Sequence, residues 1–231
     1  MNNLVSIIVP TYNESKTIIK ILEKINDQKN ERIPFEIIVV NDGSTDNSDD
    51  LISKNIHLVD KYISLETNMG KGAAVKEGLF NSSGEFILFQ DADLEYSPSD
   101  YKKIFKILEN NSPDVVIGSR FSSSEFTKVM YYWHKVGNRL ITSFFNVLYN
   151  TTFTDVYTCY LLYRKNLVNP ANLKSVGWEQ QAEILATAVK KGKEFYEVPI
   201  NYNGRKYEDG KKIKPRHFFS VIFMILKKRV V

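Results

Sequence analysis

Cysteine is nearly absent from this sequence: Cys159 stands alone. One thiol excludes an internal disulfide and a thiolate zinc site. The start, Met1-Asn2-Asn3, runs straight into an apolar segment with no charged-then-apolar leader pattern, and with the single cysteine this implies a reducing, cytoplasmic setting. Long hydrophobic runs are missing too. The longest uncharged apolar stretch, residues 218–226, would make a helix of about 13–14 Å at 1.5 Å per residue, too short to span a bilayer. Internal repeats and low-complexity linkers are also lacking.

What is present is ordinary in amount and uneven in placement. Apolar residues make 43% and charged residues 25% of the 231, which excludes a disordered chain and allows one large domain or two small ones. The net charge of +4 conceals an asymmetry. Residues 204–231 hold nine Lys/Arg against Glu208 and Asp209, a local +7, so residues 1–203 carry −3. A nucleic-acid-binding protein would spread its basic residues over a face of the folded body, so no nucleic acid is expected. The tail points instead to a local anionic partner, either phosphate groups or a membrane surface.

Short apolar, β-branched runs at 4–9, 35–40, 62–65, 85–89 and 114–117 read as strands. Each of the first four is followed by a turn signal and helical spacing; after the first, Ile18, Ile21, Leu22 and Ile25 share one helix face. Strands apolar on both faces alternating with helices imply an α/β fold with a mostly parallel central sheet covered by helices. Ligands of such folds sit beyond the carboxyl ends of the strands. From about residue 120 the pattern changes to a long aromatic helix over 126–149, a strand over 157–163, a helix over 179–191 and a strand over 194–199. The whole chain reads as one domain, with a nucleotide-binding half (1–120), an acceptor half (121–216) and a basic amphipathic C-terminal helix (217–231).

The strand ends carry the chemistry. After the first strand stands Pro10-Thr11-Tyr12-Asn13-Glu14, without the glycine fingerprint of a dinucleotide site, and Glu66 breaks a Walker A spacing before Lys71. The second ends in Asn41-Asp42-Gly43-Ser44-Thr45-Asp46. Ser44 or Thr45 suits a helix cap, whereas Asp42, at the strand's very end, points into the ligand crevice. The fourth ends in Asp91-Ala92-Asp93-Leu94-Glu95, three alternate carboxylates that repel one another unless a cation lies between them. Hard oxygen donors suit Mg²⁺ or Mn²⁺, which would also hold phosphates; the plain alternative is an acidic loop capping the helix that starts near Pro98. An EF-hand fails, because its glycine would fall at Tyr96 and its last acid at Lys102.

In order, PTYNE, VVNDGSTD, NMGKGAAVKEG, QDADLE and GSRF closely resemble the motifs of family 2 glycosyltransferases of the GT-A fold, in particular the polyprenyl-phosphate (dolichol-phosphate) mannosyl- and glucosyltransferases. His134 to Arg139, Thr154 to Tyr160, and Glu197 to Tyr202 followed by Arg205, Gly210 and Lys211 resemble that branch's acceptor-side segments. The resemblance implies that Pro10, Tyr12 and Glu14 line the nucleotide pocket and that Asp42, beside Val40, hydrogen-bonds the base. It implies Asp91, with Ala92 and Lys71, near the ribose and diphosphate, and Asp93 and Glu95, with Asp91 adjoining, at an Mg²⁺ or Mn²⁺ ion. Arg120, Arg139 and Arg205 would converge on phosphates, with Lys211 in the same basic loop. Two departures stand out: Glu95 where the branch often has Gln, and Thr158-Cys159-Tyr160 where it has a shorter Ser/Gly run.

These roles describe transfer of a hexose from a nucleotide-sugar donor to polyprenyl phosphate or another lipid-linked acceptor. A hydroxyl acceptor needs a general base, whereas a phosphate monoester, with a second pKa of about 6, is already largely ionised. The Glu-Asp pair that hydroxyl-directed relatives place before Arg-Trp has no match; residues 178–181 read Trp-Glu-Gln-Gln. That favours a phosphate acceptor, with Asp155 the candidate to position or deprotonate it. The apolar residues 218–226 between basic clusters read as an interfacial helix end, which would put the protein peripherally on the cytoplasmic face of a membrane. Relatives of this branch often carry transmembrane helices beyond this point, so the chain reads as a short peripheral enzyme or a trimmed one.

Overall fold

The computed structural model describes residues 3–29, 32–122, 128–129, 131–204 and 215–230. Its strands are β1 (Val5–Thr11), β2 (Phe35–Asn41), β3 (Lys61–Ser64), β4 (Phe86–Phe89), β5 (Val115–Ser119), β6 (Leu161–Arg164) and β7 (Phe195–Pro199). Its α-helices are α1 (Ile18–Asn26), α2 (Ser48–Lys54), α3 (Lys71–Phe80), α4 (Tyr101–Asn110), α5 (Tyr132–Tyr149), α6 (Gln180–Lys191) and α7 (Pro215–Val230). One seven-stranded sheet runs in the order β3-β2-β1-β4-β6-β5-β7. It is parallel except at β6, which pairs antiparallel with both β4 and β5. The expected mixed α/β architecture with a mostly parallel sheet is therefore observed, and the second half joins the first through β6.

Local patterning explains the packing. Every residue of β1 and β2 is buried, as their largely apolar runs require of strands covered on both faces; the buried polar members are Ser6, Thr11, Glu36 and Asn41. α1 buries Ile18, Ile21, Leu22 and Ile25, and α4 buries Tyr101, Ile104, Phe105 and Leu108, each a single stripe at helical spacing. α3 lies so close to β1 that a Cβ on Gly78 would sit 2.6 Å from Ile8 Cγ2.

Two expected elements are shorter than their patterns. The helix expected over 126–149 begins at Tyr132, with 126–127 and 130 outside the described residues. It stops where Asn150 turns left-handed (φ 53°) and the Asn146 side chain bonds both the carbonyl and the N–H of Phe153. The strand expected over 157–163 begins only at Leu161. Residues 157–159 lie beyond the end of β4, where the ladder has no partner, and the Tyr157 carbonyl accepts from Arg120 instead (2.7 Å). The helix cap expected at Ser44 or Thr45 falls instead at Asn47.

α7 is apolar on two sides. Val221, Met224 and Ile225 are buried, whereas Phe219 and Phe223 are exposed by 71% and 64%. Among the described residues no helix is long and apolar enough to cross a membrane.

A buried carboxylate fixes the other end of the sheet. Glu36 on β2 accepts from the Ser6 hydroxyl (2.5 Å) and from the Ser83 N–H and hydroxyl (2.6 and 2.7 Å), and pairs with Lys61 at 3.1 Å. Burial alone would raise its pKa, but these bonds outweigh it and hold the carboxyl at about 2, against an ordinary 4.5. The stabilisation is complete above pH 4.5 and is lost as the pH falls toward 2. Glu36→Gln should therefore cost about 2–3 kcal/mol at pH 7. In urea titrations its deficit against the wild type should shrink across that acid window.

Candidate active site

The carboxyl ends of β1, β2 and β4 open onto a cleft of about 690 Å³, as expected for a sheet whose order reverses beside its first strand. At the end of β1, Asn13 (φ 55°) turns left-handed and its Oδ1 accepts the Thr45 N–H at 2.8 Å, while its own N–H donates to Ser44 Oγ at 3.0 Å. This stitches the first strand end to the second and places Pro10, Tyr12 and Glu14 on the cleft rim. At the end of β2, Asp42 is buried and spends one oxygen on the Met69 N–H (2.8 Å) and the other on that of Gly70 (2.9 Å). Next to it Gly43 has φ 61° and lies so near residue 67 that a Cβ would fall 2.5 Å from the Thr67 carbonyl carbon. Asp42 thus fixes the approach to α3, whose first residue, Lys71, reaches Asp91 Oδ1 at 2.5 Å. Burial would lower the Lys71 pKa, but the Asp91 charge outweighs it and raises it.

Beyond β4 the acidic loop divides its labour. Asp91 faces Lys71; Asp93 Oδ1 accepts the Glu95 N–H at 3.0 Å; Glu95 Oε2 accepts the Tyr202 hydroxyl at 2.7 Å. Burial first, and then Glu95, pushes the Tyr202 phenol upward. Among the described residues no three His, Cys, Asp or Glu side chains gather into a metal cage. The donor chemistry still fits a divalent cation of the Mg²⁺ type, which takes one or two carboxylates and completes its shell with water and substrate phosphate. Asp93 and Glu95 could supply that pair, with Asp91 turned to Lys71.

Across the cleft, Arg120 follows β5 and is only 8% exposed. Its Nε and Nη2 donate to the two oxygens of Asp155 (2.7 and 2.9 Å), and its backbone N–H adds a third bond (3.1 Å). Its guanidinium carbon lies 5.2 Å from the centre of the Tyr202 ring. Although burial would lower it, the Asp155 charge holds the Arg120 pKa above its ordinary value.

Pro10, Tyr12, Glu14, Asp42, Lys71, Asp91, Ala92, Asp93, Glu95 and Arg120 all line this one cleft. Val40 does not: it is buried in β2 against Ile38 and Ala74. Arg139 sits on the exposed side of α5 and Asn138 lines the cleft instead. Asp155 lies behind Arg120, fully buried, so the geometry gives its carboxylate to the arginine and not to an acceptor. Arg205 and Lys211 lie outside the described residues. Residues not singled out in the sequence also contribute, notably Tyr96, Tyr157, Trp178, Gln180, Gln181 and Tyr202. Apart from Tyr96, which directly follows Glu95, they lie inside the quoted segments 154–160, 178–181 and 197–202, where no strand or helix period marks which side chains face a cleft.

A family model described as "Glycosyl transferase family 2" matches residues 6–169. The chain belongs to glycosyl transferase family 2. It is 26% identical to the low-salt glycan biosynthesis hexosyltransferase Agl6 of Haloferax volcanii, over 96% of this chain and 53% of that one, so it spans about half that relative's length. It is 27% identical to the glycosyltransferase AglJ of the same organism, over 97% and 71%. Against dolichyl-phosphate beta-glucosyltransferase ALG5D of Trichomonas vaginalis it is 35% identical over 54% and 42%. Glucosyl-3-phosphoglycerate synthase from Mycobacterium tuberculosis, solved with Mn²⁺, UDP and glucosyl-3-phosphoglycerate, superposes with a TM-score of 0.71 at 16% identity, covering 99% and 81%. S. aureus TarS 1-349 with UDP-GlcNAc gives 0.66 at 20%, covering 97% and 66%. The fold of this family 2 glycosyltransferase is accordingly GT-A.

Removing Asp155 strands a buried cation. Asp155→Ala should cost about 3–5 kcal/mol in chemical denaturation. Asp155→Asn, which keeps the shape, should lower turnover more than nucleotide affinity; a loss confined to nucleotide affinity would contradict the placement of Arg120.

Proposed function

We propose that this protein is a metal-dependent, inverting hexosyltransferase that moves a sugar from a nucleotide-sugar donor of the UDP-glucose or GDP-mannose type to a polyprenyl phosphate. One observation carries the reading: the carboxylates lining the cleft all come from strand ends of the first half. Those are Glu14, Asp42, Asp91, Asp93 and Glu95, whereas among the described residues after 120 the wall is lined by Asn138, Tyr157, Trp178, Gln180, Gln181 and Tyr202 and by no acid. Asp155, the one candidate base on that side, is consumed by Arg120. Among the described residues of that wall, a hydroxyl nucleophile finds no free carboxylate to take its proton. An ionised phosphate needs nothing to do so. The dolichyl-phosphate glucosyltransferase among the relatives supports the same acceptor class.

In this reading an acceptor phosphate oxygen attacks the anomeric carbon, the bond from that carbon to the nucleotide diphosphate breaks, and the diphosphate departs with the electron pair. Asp93 and Glu95 would hold a divalent cation, which supplies Lewis-acid neutralisation of that leaving group. Lys71 and Arg120 add fixed positive charge on either side; because Nε and Nη2 of Arg120 are given to Asp155 and Tyr157, its outer Nη1 is the donor left to face a phosphate. The aromatic wall of Tyr157, Trp178 and Tyr202 limits access of water to the anomeric carbon. The exposed Phe219, Phe223 and Leu226 of α7, next to Lys227 and Arg229, together with Tyr132 and Trp133 at the start of α5, suit peripheral docking on an anionic cytoplasmic membrane face.

Radiolabelled UDP-glucose and GDP-mannose, each with Mg²⁺ or Mn²⁺, should transfer label to the organic phase only when undecaprenyl phosphate is present. Label appearing in a glycan hydroxyl product instead would overturn the acceptor assignment. Asp93→Ala should abolish metal-stimulated transfer, a loss of at least about 100-fold, with an unchanged circular dichroism spectrum; full activity would remove Asp93 from the metal site.

A further inference from the structure

One wall of the cleft, residues 176–178, belongs to an irregular segment just before α6, and two charged residues outside the cleft hold it in place. Glu183, in the first turn of α6, is completely buried, yet its carboxylate does not face the cleft. Its oxygens accept the Lys174 N–H (3.2 and 3.1 Å), and Oε2 accepts the Ser175 N–H (2.8 Å). Behind it Lys228, from the last turn of α7, lies 2.8 Å from Oε1. Burial would raise the Glu183 pKa, but Lys228 and these N–H groups hold it below the ordinary carboxylate range, so the group is ionised as folded.

On its other side the same segment is pressed onto the donor site. The Val176 carbonyl accepts the Gly72 N–H (2.9 Å) in the first turn of α3, next to Lys71. The approach is tight enough that a Cβ on Gly72 would lie 2.4 Å from the Ser175 oxygen. The Trp178 carbonyl accepts the Tyr157 hydroxyl (2.8 Å), and its ring meets that of His217 of α7 with centroids 6.0 Å apart. α7 therefore grips the segment at two points, one near each of its own ends.

We infer that Glu183 and Lys228 are positioning residues of the cleft, through which the docking of α7 sets the placement of Trp178 and of the α3 first turn that carries Lys71. A buried ion pair is a poor way to gain stability, since well-packed apolar residues do as well. Its use here is directional: the carboxylate accepts those two backbone N–H groups while anchored to the C-terminal helix. A contact that shifts α7 on its outer face, where Phe219 and Phe223 are exposed, is thereby transmitted to both substrate-binding sides.

The test compares Lys228→Met, Lys228→Arg and Glu183→Gln in a Trp133→Phe background, where Trp178 is the sole tryptophan of the original two. Lys228→Met should speed amide exchange at Lys174, Ser175 and Gly72, shift Trp178 emission, and weaken its response to UDP or GDP. Displacing the wall should lower kcat/KM by on the order of 10- to 100-fold, and Lys228→Arg should restore most of it. Unchanged exchange, emission and kinetics in Lys228→Met, with only a lowered Tm, would reduce the pair to a structural contact and overturn the inference. Should Glu183→Gln not fold, the two Lys228 variants decide alone, because Lys228 is partly exposed. The kinetic arm rests on the hexosyl-transfer reading; the exchange and fluorescence arms do not, so failure of one is distinguishable from failure of the other.

Discussion

The pair between Arg120 and Asp155 is the contact on which the cleft depends. Taking a guanidinium and a carboxylate out of water is costly, and the cost is offset only when every polar atom of the pair finds a partner. Here the backbone N–H of Arg120 and the carbonyl of Tyr157 add to the shell. The partners come from two chain regions, the end of β5 and the segment leading to β6, so satisfying the pair brings them together. Thr154 and Asp155 are fastened in turn by Glu197 of β7, which accepts both of their N–H groups. A cleft-lining arginine is thus held over the acidic strand ends.

Charge separation across the cleft follows from the same arrangement. The strand ends of the first half bring together more negative charge than water-exposed loops would tolerate at such density. Lys71 neutralises Asp91, Tyr202 satisfies Glu95, and Arg120 balances the far side. The mild acidity of the body is therefore concentrated where a cation and a diphosphate would enter, and it is not a general surface property.

Much of this was legible in the sequence, for identifiable reasons. Apolar runs of four to six residues between helical stripes dictate a covered parallel sheet, and strand ends in such a sheet must face the ligand crevice, which Asp42 and Asp91 line; Arg120, which lines it too, was singled out by the family resemblance alone. Asp155 and Arg139 were read less well. A carboxylate in a motif looks the same whether it faces substrate or a buried arginine; only the three-dimensional pairing separates the two. Arg139 lies one residue from Asn138 on α5, and a helix turns about 100° per residue, so adjacency in a motif does not give adjacency in the cleft. The aromatic residues 157, 178 and 202 sit in irregular backbone, where neither a period of 2 nor one of 3.6 applies.

The antiparallel strand β6 carries a consequence for how the chain assembles. β4 and β5 follow one another in sequence but are never neighbours, because β6, more than forty residues further on (Leu161–Arg164), lies between them. During synthesis β1 to β4 can pair as soon as they emerge, giving a partial sheet with the donor-side strand ends in place. β5 must wait, its apolar edge unpaired, until the whole of α5 has been made and β6 arrives to bridge the gap. Non-local pairing of this kind is slow and exposes hydrophobic edges in the interval. On this topology the strand ends of β1, β2 and β4 are available before the arginine and the aromatic wall that complete the cleft.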